Sequence, residues 1–393
     1  MQNLTLAYTL AGADCVDVAA DPAVIASARE ALQVASQYIN DAQSRGYGVK
    51  GLPWLMVSLN DGEDPHFRKA SFDPALCPPD CSRPCESICP AQAIAFPSEG
   101  ESGVIDSRCY GCGRCVPICP IQHITTRAYV STPAAIAPLV LDGVDAVEIH
   151  TQVGRLEDFT RLWQAIAPWV GQLKLVAVSC PDGDGLLDYL RQLYDCMAPL
   201  PCPVIWQTDG RPMSGDIGMG ATRAAVKLGQ KVLAANLPGY VQLAGGTNAH
   251  TVAKLQALNL LNFAPSGASN SSSVSSAPSA SGSSGVSSLS APAPRYIAGI
   301  AYGSYARALL TPVLDALEAE PLGAGIPSAP LPRLVDPSHT PVSPVRLVDF
   351  AAAPARLDAA PHLLWQAVGL AHSLVSQLKL PSTQSAPRSP MNQ

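Results

Sequence analysis

Cys109-Tyr110-Gly111-Cys112-Gly113-Arg114-Cys115-Val116-Pro117-Ile118-Cys119-Pro120 decides how the middle of this chain folds. Its cysteines follow C-x2-C-x2-C-x3-C-P without a departure, a spacing that wraps thiolates around a cuboidal iron–sulfur cluster. Thirty residues upstream the pattern returns in looser form at Cys77, Cys81, Cys85, Cys89 and Pro90. The endings also match, Ile88-Cys89-Pro90-Ala91-Gln92-Ala93-Ile94 against Ile118-Cys119-Pro120-Ile121-Gln122-His123-Ile124. The stretch is half of an internal repeat.

A cuboidal cluster needs four thiolates converging on a small body, and three close cysteines on one loop surround only one face of it. The fourth cysteine of each run, expected at the start of a short helix, ligates the other cluster, as in two-cluster bacterial ferredoxins. One [4Fe–4S] cluster is therefore assigned to Cys109, Cys112, Cys115 and Cys89, and the second to Cys77, Cys81, Cys85 and Cys119. Gly111 and Gly113 allow backbone angles that a Cβ forbids and bring amides toward the sulfurs. Residues Ala93–Phe96 and Val104–Asp106 are expected to pair as a hairpin across Ser98-Glu99-Gly100. The upstream loop has x3-x3-x3 gaps and holds Pro78, Pro79 and Pro84 but no glycine, so fewer N–H groups reach its sulfurs. It leaves three outcomes open: a [4Fe–4S] cluster, a [3Fe–4S] cluster, or no cluster. Zinc calls for two separated C-x2-C pairs, and disulfides for a secreted chain. Cys15, Cys180, Cys196 and Cys202 are scattered and read as small core residues.

The 393 residues carry a net charge of -6 with only 14% charged side chains, which invites neither nucleic acid nor an anionic membrane surface. Met1-Gln2-Asn3-Leu4 has no basic region and meets Asp14 too early for a signal peptide. No apolar run approaches the ~18 residues that read as a membrane span. Thiols kept for iron imply a reducing compartment, so the expected location is cytoplasmic.

Outside residues 67–128, apolar strand-like runs alternate with helical periods. The strands begin near Cys15, Pro53, Val144, Lys174, Pro203, Tyr240 and Tyr296; helices are expected over Pro22–Asn40, Leu156–Ala167, Leu186–Met197, Ala221–Ala235 and Ala249–Leu258. Once residues 67–128 and 264–294 are set aside, every interval between strand starts fits one β-α unit. This α/β pattern predicts a parallel sheet wrapped by helices. Seven units favour a (β/α) barrel-like sheet over an open doubly wound one. Leu4–Ala11 reads as helix, so a closed ring needs a strand ahead of Met1 or another closing segment; otherwise the sheet is open. The expected domains are 1–66 and 129–263 as barrel parts, 67–128 as an inserted α+β ferredoxin-like module, and 295–320 as the last β/α unit. Residues 264–294 hold fourteen serines and no charge and read as a flexible loop. Residues 321–393 form a proline-rich tail with one helix near His362–Leu380 and a disordered end.

Barrel enzymes work at the C-terminal ends of strands, with phosphates often held after the seventh and eighth. Here Gly245, Gly246 and Thr247 open one helix, and Gly303, Ser304 and Arg307 another, a candidate anion or flavin-phosphate site. Thr208–Asp216 and Glu148-Ile149-His150 border the same mouth. No nucleophile–base set is visible, so a non-catalytic role is expected, with an iron–sulfur oxidoreductase as the alternative.

The double cysteine run, Cys15-Val16-Asp17-Val18-Ala19-Ala20-Asp21-Pro22, Gly245-Gly246-Thr247-Asn248 and Gly299-Ile300-Ala301-Tyr302-Gly303-Ser304-Tyr305-Ala306-Arg307 together resemble the cyanobacterial light-dependent period proteins over most of residues 4–320. The resemblance implies an iron–sulfur protein conveying cellular redox state to the circadian clock. It also implies clock components and the circadian input kinase as partners, and a natural start upstream of Met1. A surface cluster would exchange electrons with the quinone or ferredoxin pool.

Overall fold

Each of the seven apolar runs becomes one strand of a single sheet in the computed structural model. The structure describes residues 1–62, 68–89, 91–97, 102–109, 111–128, 133–210, 222–262, 296–319 and 355–379. The chain opens with α1 (Gln2–Leu10), β1 (Cys15–Ala19), α2 (Pro22–Ser44) and β2 (Trp54–Asn60). It then leaves the sheet through β3 (Arg68–Ser71), α3 (Pro84–Ser87), β4 (Ile94–Ala95), β5 (Gly103–Val104), α4 (Cys115–Ile118) and β6 (Thr125–Ala128). It returns through α5 (Pro133–Val140) and β7 (Ala146–His150), followed by α6 (Leu156–Val170) and β8 (Leu175–Pro181). Next come α7 (Leu186–Met197), β9 (Val204–Asp209), α8 (Thr222–Ala234), β10 (Tyr240–Ala244) and α9 (Thr251–Ala257). The last strand is β11 (Ile297–Ile300), with α10 (Ser304–Ala319) and α11 (Pro361–Val375) after it.

The sheet is wholly parallel and runs β1-β2-β7-β8-β9-β10-β11. That order never reverses, so right-handed crossovers carry the helices to one face and strand twist curls the sheet around the other. The ring expected of an eight-fold barrel does not close among the described residues. β1 and β11 are both edges, and the sheet is a curled half-barrel. The N-terminal residues form the expected helix, α1. Its Leu6, Ala7 and Leu10 are buried in a helical core with Ala31 and Ala35 of α2, Leu310 and Val313 of α10, and Leu364 and Val368 of α11.

Strand side chains alternate between the two faces. Val57, Val147, Ile149, Val176, Val178, Trp206 and Leu243 join Phe159, Leu162, Ile166 and Leu193 of the covering helices in the main core. The opposite face holds only a small apolar cluster of Met56, Ala146, Leu175 and Ala177. Above it runs a polar row, one residue per strand. Ser58 Oγ donates to Asp17 Oδ2 (2.6 Å), Gln207 Nε2 donates to Glu148, and Gln242 Nε2 donates to Gln207 Oε1 (2.9 Å). On β11 the row ends at Gly299, where a Cβ would meet Gln242 Oε1 at 2.9 Å.

The segment between β2 and β7 has its own small core of Ala70, Cys85, Ala93, Ile94, Cys109, Cys115 and Ile124. β3 and β6 pair antiparallel and bring its ends together, and β4 pairs with β5 through Ile94–Val104 and Ala95–Gly103. The expected hairpin is thus present, though shorter, and its turn at 98–101 lies outside the described residues. So do the serine-rich 264–294 segment, the proline-rich stretch 321–345 and the last dozen residues.

Candidate metal centre

The two cysteine runs share the helix at the third cysteine and the turn after the fourth. In each, the third cysteine lies in a one-turn helix, Cys85 in α3 and Cys115 in α4. The fourth cysteine follows that helix and does not begin one, contrary to the sequence expectation. Then Gln92 and Gln122 both adopt left-handed angles (φ 49° and 52°), each with its N–H on the carbonyl of the fourth cysteine at 3.0 Å. This turn aims the next amide at the sulfur: Ala93 N lies 3.1 Å from Cys89 Sγ, and His123 N lies 3.3 Å from Cys119 Sγ. Gly111 and Gly113 take φ 74° and 75°, values a side chain resists, and the same turn points the Arg114 amide at Cys112.

The sulfurs gather four and four. Cys89 from the first run, with Cys109, Cys112 and Cys115 from the second, lines one cavity together with Arg68 and Ala70. Cys77 and Cys85 each have Cys119 as an electrostatic neighbour from the other run, and Cys81 neighbours Cys77. All twelve cysteines are free thiols. No three His, Cys, Asp or Glu side chains among the described residues come close enough to hold a single metal ion. Cluster ligands do not converge on one ion; they surround a body, as the sulfurs around this cavity do.

The electrostatics suit a cationic occupant. Burial, then the neighbouring Cys112 and Cys109, pushes the Cys115 thiol up to about 11; burial likewise raises Cys112. Raised in this way, the Cys112 and Cys115 thiols favour the protonated form until positive charge enters, and iron bound as thiolate removes the conflict. At Cys119 burial acts upward, but backbone N–H groups led by His123 outweigh it and lower the thiol. The sets differ in enclosure: Cys109 and Cys115 are buried, Cys89 is half-buried and Cys112 exposed, whereas in the other set Cys85 is buried and Cys77, Cys81 and Cys119 are half-buried. Beside Cys112, Arg114 pairs with Glu318 of α10, joining the insert to the helical core.

The other candidate residues are placed differently. Gly245 and Gly246 form a left-handed turn after β10 (φ 57° and 95°). Thr247 Oγ1 donates to the Ala301 carbonyl at 2.5 Å, and Asn248 N donates to Thr251 Oγ1, so this turn spends polar groups on its neighbours. The turn is thereby brought beside the strand end that leads to Gly303. Arg307 Nη2 reaches Ser304 Oγ at 3.4 Å on the exposed start of α10. His150 lies 3.2 Å from the buried Glu148. Of Thr208–Asp216, residues from 211 onward fall outside the described set. Cys180 is buried in the main core, Cys196 and Cys202 pack against it, and Cys15 packs on the small cluster of the opposite face. Sequence reasoning missed the polar row, although its signal was there: Asp17, Ser58, Glu148, Ser179, Gln207 and Gln242 each interrupt an apolar strand on one face.

Eight sulfurs arranged four and four on an inserted arm of an α/β half-barrel place this chain among iron–sulfur-binding proteins. Residues 77–130 match the LdpA Fe-S cluster-binding domain, and residues 139–377 match the Light dependent period A C-terminal domain. A Synechococcus elongatus protein, Light dependent period A, is 49% identical over 318 residues, 81% of this chain and 78% of the relative. The chain belongs to the light dependent period A family. No solved structure matches it. No helix among the described residues is long and apolar enough to cross a membrane.

Proposed function

We propose that the insert is a ferredoxin-type module holding two clusters, a [4Fe–4S] cluster on Cys89, Cys109, Cys112 and Cys115 and a second on Cys77, Cys81, Cys85 and Cys119. Bound there, a cluster supplies reversible one-electron chemistry. The amides of Ala93, Arg114 and His123 hold the sulfurs in place, and their N–H dipoles favour added negative charge. The protein then acts in the cytoplasm as a redox sensor of circadian input. It takes its state from the quinone or ferredoxin pool and passes it on by altered contact with the input kinase and clock proteins. The observation that carries this reading is the single cavity lined by sulfurs from both runs. Iron and acid-labile sulfide analysis with electron paramagnetic resonance, on anaerobically purified protein in both redox states, tests it. A colourless protein without sulfide would sink it, and a flavin spectrum would move the reading to an oxidoreductase.

A further inference from the structure

We propose that Lys69 is a positioning residue that ties the turn presenting Cys109 to the cap of α2 and, through that turn, sets the geometry of the downstream cysteine site. The inference rests on the cluster reading above. Lys69 is 1% exposed, on β3 between Arg68 and Ala70, both of which line the cavity of Cys109 and its partners. Its Nζ lies 2.7 Å from Asp21 Oδ2, with the two side chains 2% and 0% exposed. Asp21 belongs to the half-barrel: its Oδ1 accepts from Ala23 N (2.9 Å) and Val24 N (3.3 Å), capping α2.

The same ammonium donates to the Asp106 carbonyl at 2.5 Å. Asp106 lies in the turn that delivers the cysteine run. Arg108 N and Cys109 N both donate to Ile105 O (3.0 and 3.1 Å), and Ile105 N donates to Ala93 O (2.7 Å). Across the strand pair, Lys69 stands in register with Arg127, which grips the Asp106 carboxylate from outside. One buried nitrogen therefore touches both the helix cap of the half-barrel and the turn three residues before a sulfur ligand.

A buried ion pair kept for stability alone is often replaced by apolar residues without loss. A pair kept to hold a ligand-bearing turn is not replaceable in that way, because the same ammonium also carries the hydrogen bond to the Asp106 carbonyl, and a looser turn weakens the amide contacts that favour a cluster's reduced form. Lys69→Met leaves Asp21 without its cation and frees the Asp106 carbonyl; Lys69→Arg keeps the charge. The measurements are iron and sulfide content, midpoint potential, and hydrogen exchange of the Arg108 and Cys109 amides, on the full chain purified anaerobically. The expected result is a more negative potential and faster exchange at both amides in Lys69→Met, with Lys69→Arg back near wild type. Should Lys69→Met not fold, Lys69→Met/Asp21→Asn removes the orphaned carboxylate, and faster exchange at the two amides is still expected. Wild-type potential with full cluster content in Lys69→Met, or wild-type exchange in the double variant, overturns the proposal. A wild-type protein without iron overturns instead the reading on which it rests.

Discussion

Gln207 on β9 donates its side-chain amide to Glu148 on β7, across the intervening strand β8. Both side chains are buried, on the sheet face that the helices leave uncovered. A packed barrel fills this space with branched apolar residues, whereas here a hydrogen-bonded row occupies it. Such a row holds its place because each buried polar group has a partner.

The row makes stability depend on pH. Burial, aided by the charge of Asp209, pushes Glu148 up to about 7 from 4.5, against the lowering effect of its Ser179 hydrogen bond. The folded state therefore holds a proton that the unfolded state releases. Its contribution is complete below about pH 4.5, declines as pH rises toward about 7, and is gone above that. Glu148→Gln keeps the shape and the acceptor for Gln207 and should flatten this slope. The gain at pH 8 is on the order of 3 kcal/mol at most. Urea unfolding of both proteins from pH 4.5 to 8 checks it; equal slopes would contradict the assignment to Glu148.

The crossed ligand sets proposed above make a prediction that a local reading does not. Cys89→Ser, in the first run, should remove the same spectral signal as Cys112→Ser in the second, each lowering iron by about half. Cys119→Ser should instead remove the other signal. Electron paramagnetic resonance of the three variants decides the matter. If Cys89→Ser and Cys119→Ser each lose the signal of their own run, the crossing is wrong.

Gly229 sets helix propensity against packing. It lies inside α8, where alanine is normally preferred by about 1 kcal/mol. A Cβ there would meet Leu243 Cδ2 at 2.3 Å and Ile297 Cδ1 at 3.2 Å. Leu243 is fully buried, so its methyl can shift only against packed neighbours. Overpacking costs about 1–3 kcal/mol, so Gly229→Ala should lower the melting temperature despite the propensity gain. Calorimetry of the single variant gives the sign.

Leu364 of α11 is 0% exposed in the core shared by α1, α2 and α10. Leu364→Ala should cost about 2–5 kcal/mol through lost burial and the cavity left behind. Denaturant unfolding measures it. A loss under about 0.5 kcal/mol, the range of exposed surface sites, would mean that α11 is not docked.

The sequence by itself determined the seven strands of the sheet and the division of eight cysteines into two matching runs, because both are periodic. Seven apolar runs at β-α intervals became seven strands, α7 begins and ends where its amphipathic stretch does, and the two C-P-x-Q endings share one backbone turn. Closure of the ring, the polar row and the Lys69–Asp21 pair were decided only in the tertiary structure. Whether Leu6 and Leu10 face a closing strand or another helix depends on α11, more than 350 residues away. A lysine beside a cysteine-rich loop ordinarily reads as solvated surface. It becomes a buried strut only when folding brings the cap of α2, forty-eight residues earlier in the chain, against β3. Local pattern specifies which face of a segment is apolar; which distant segment meets that face is settled by packing.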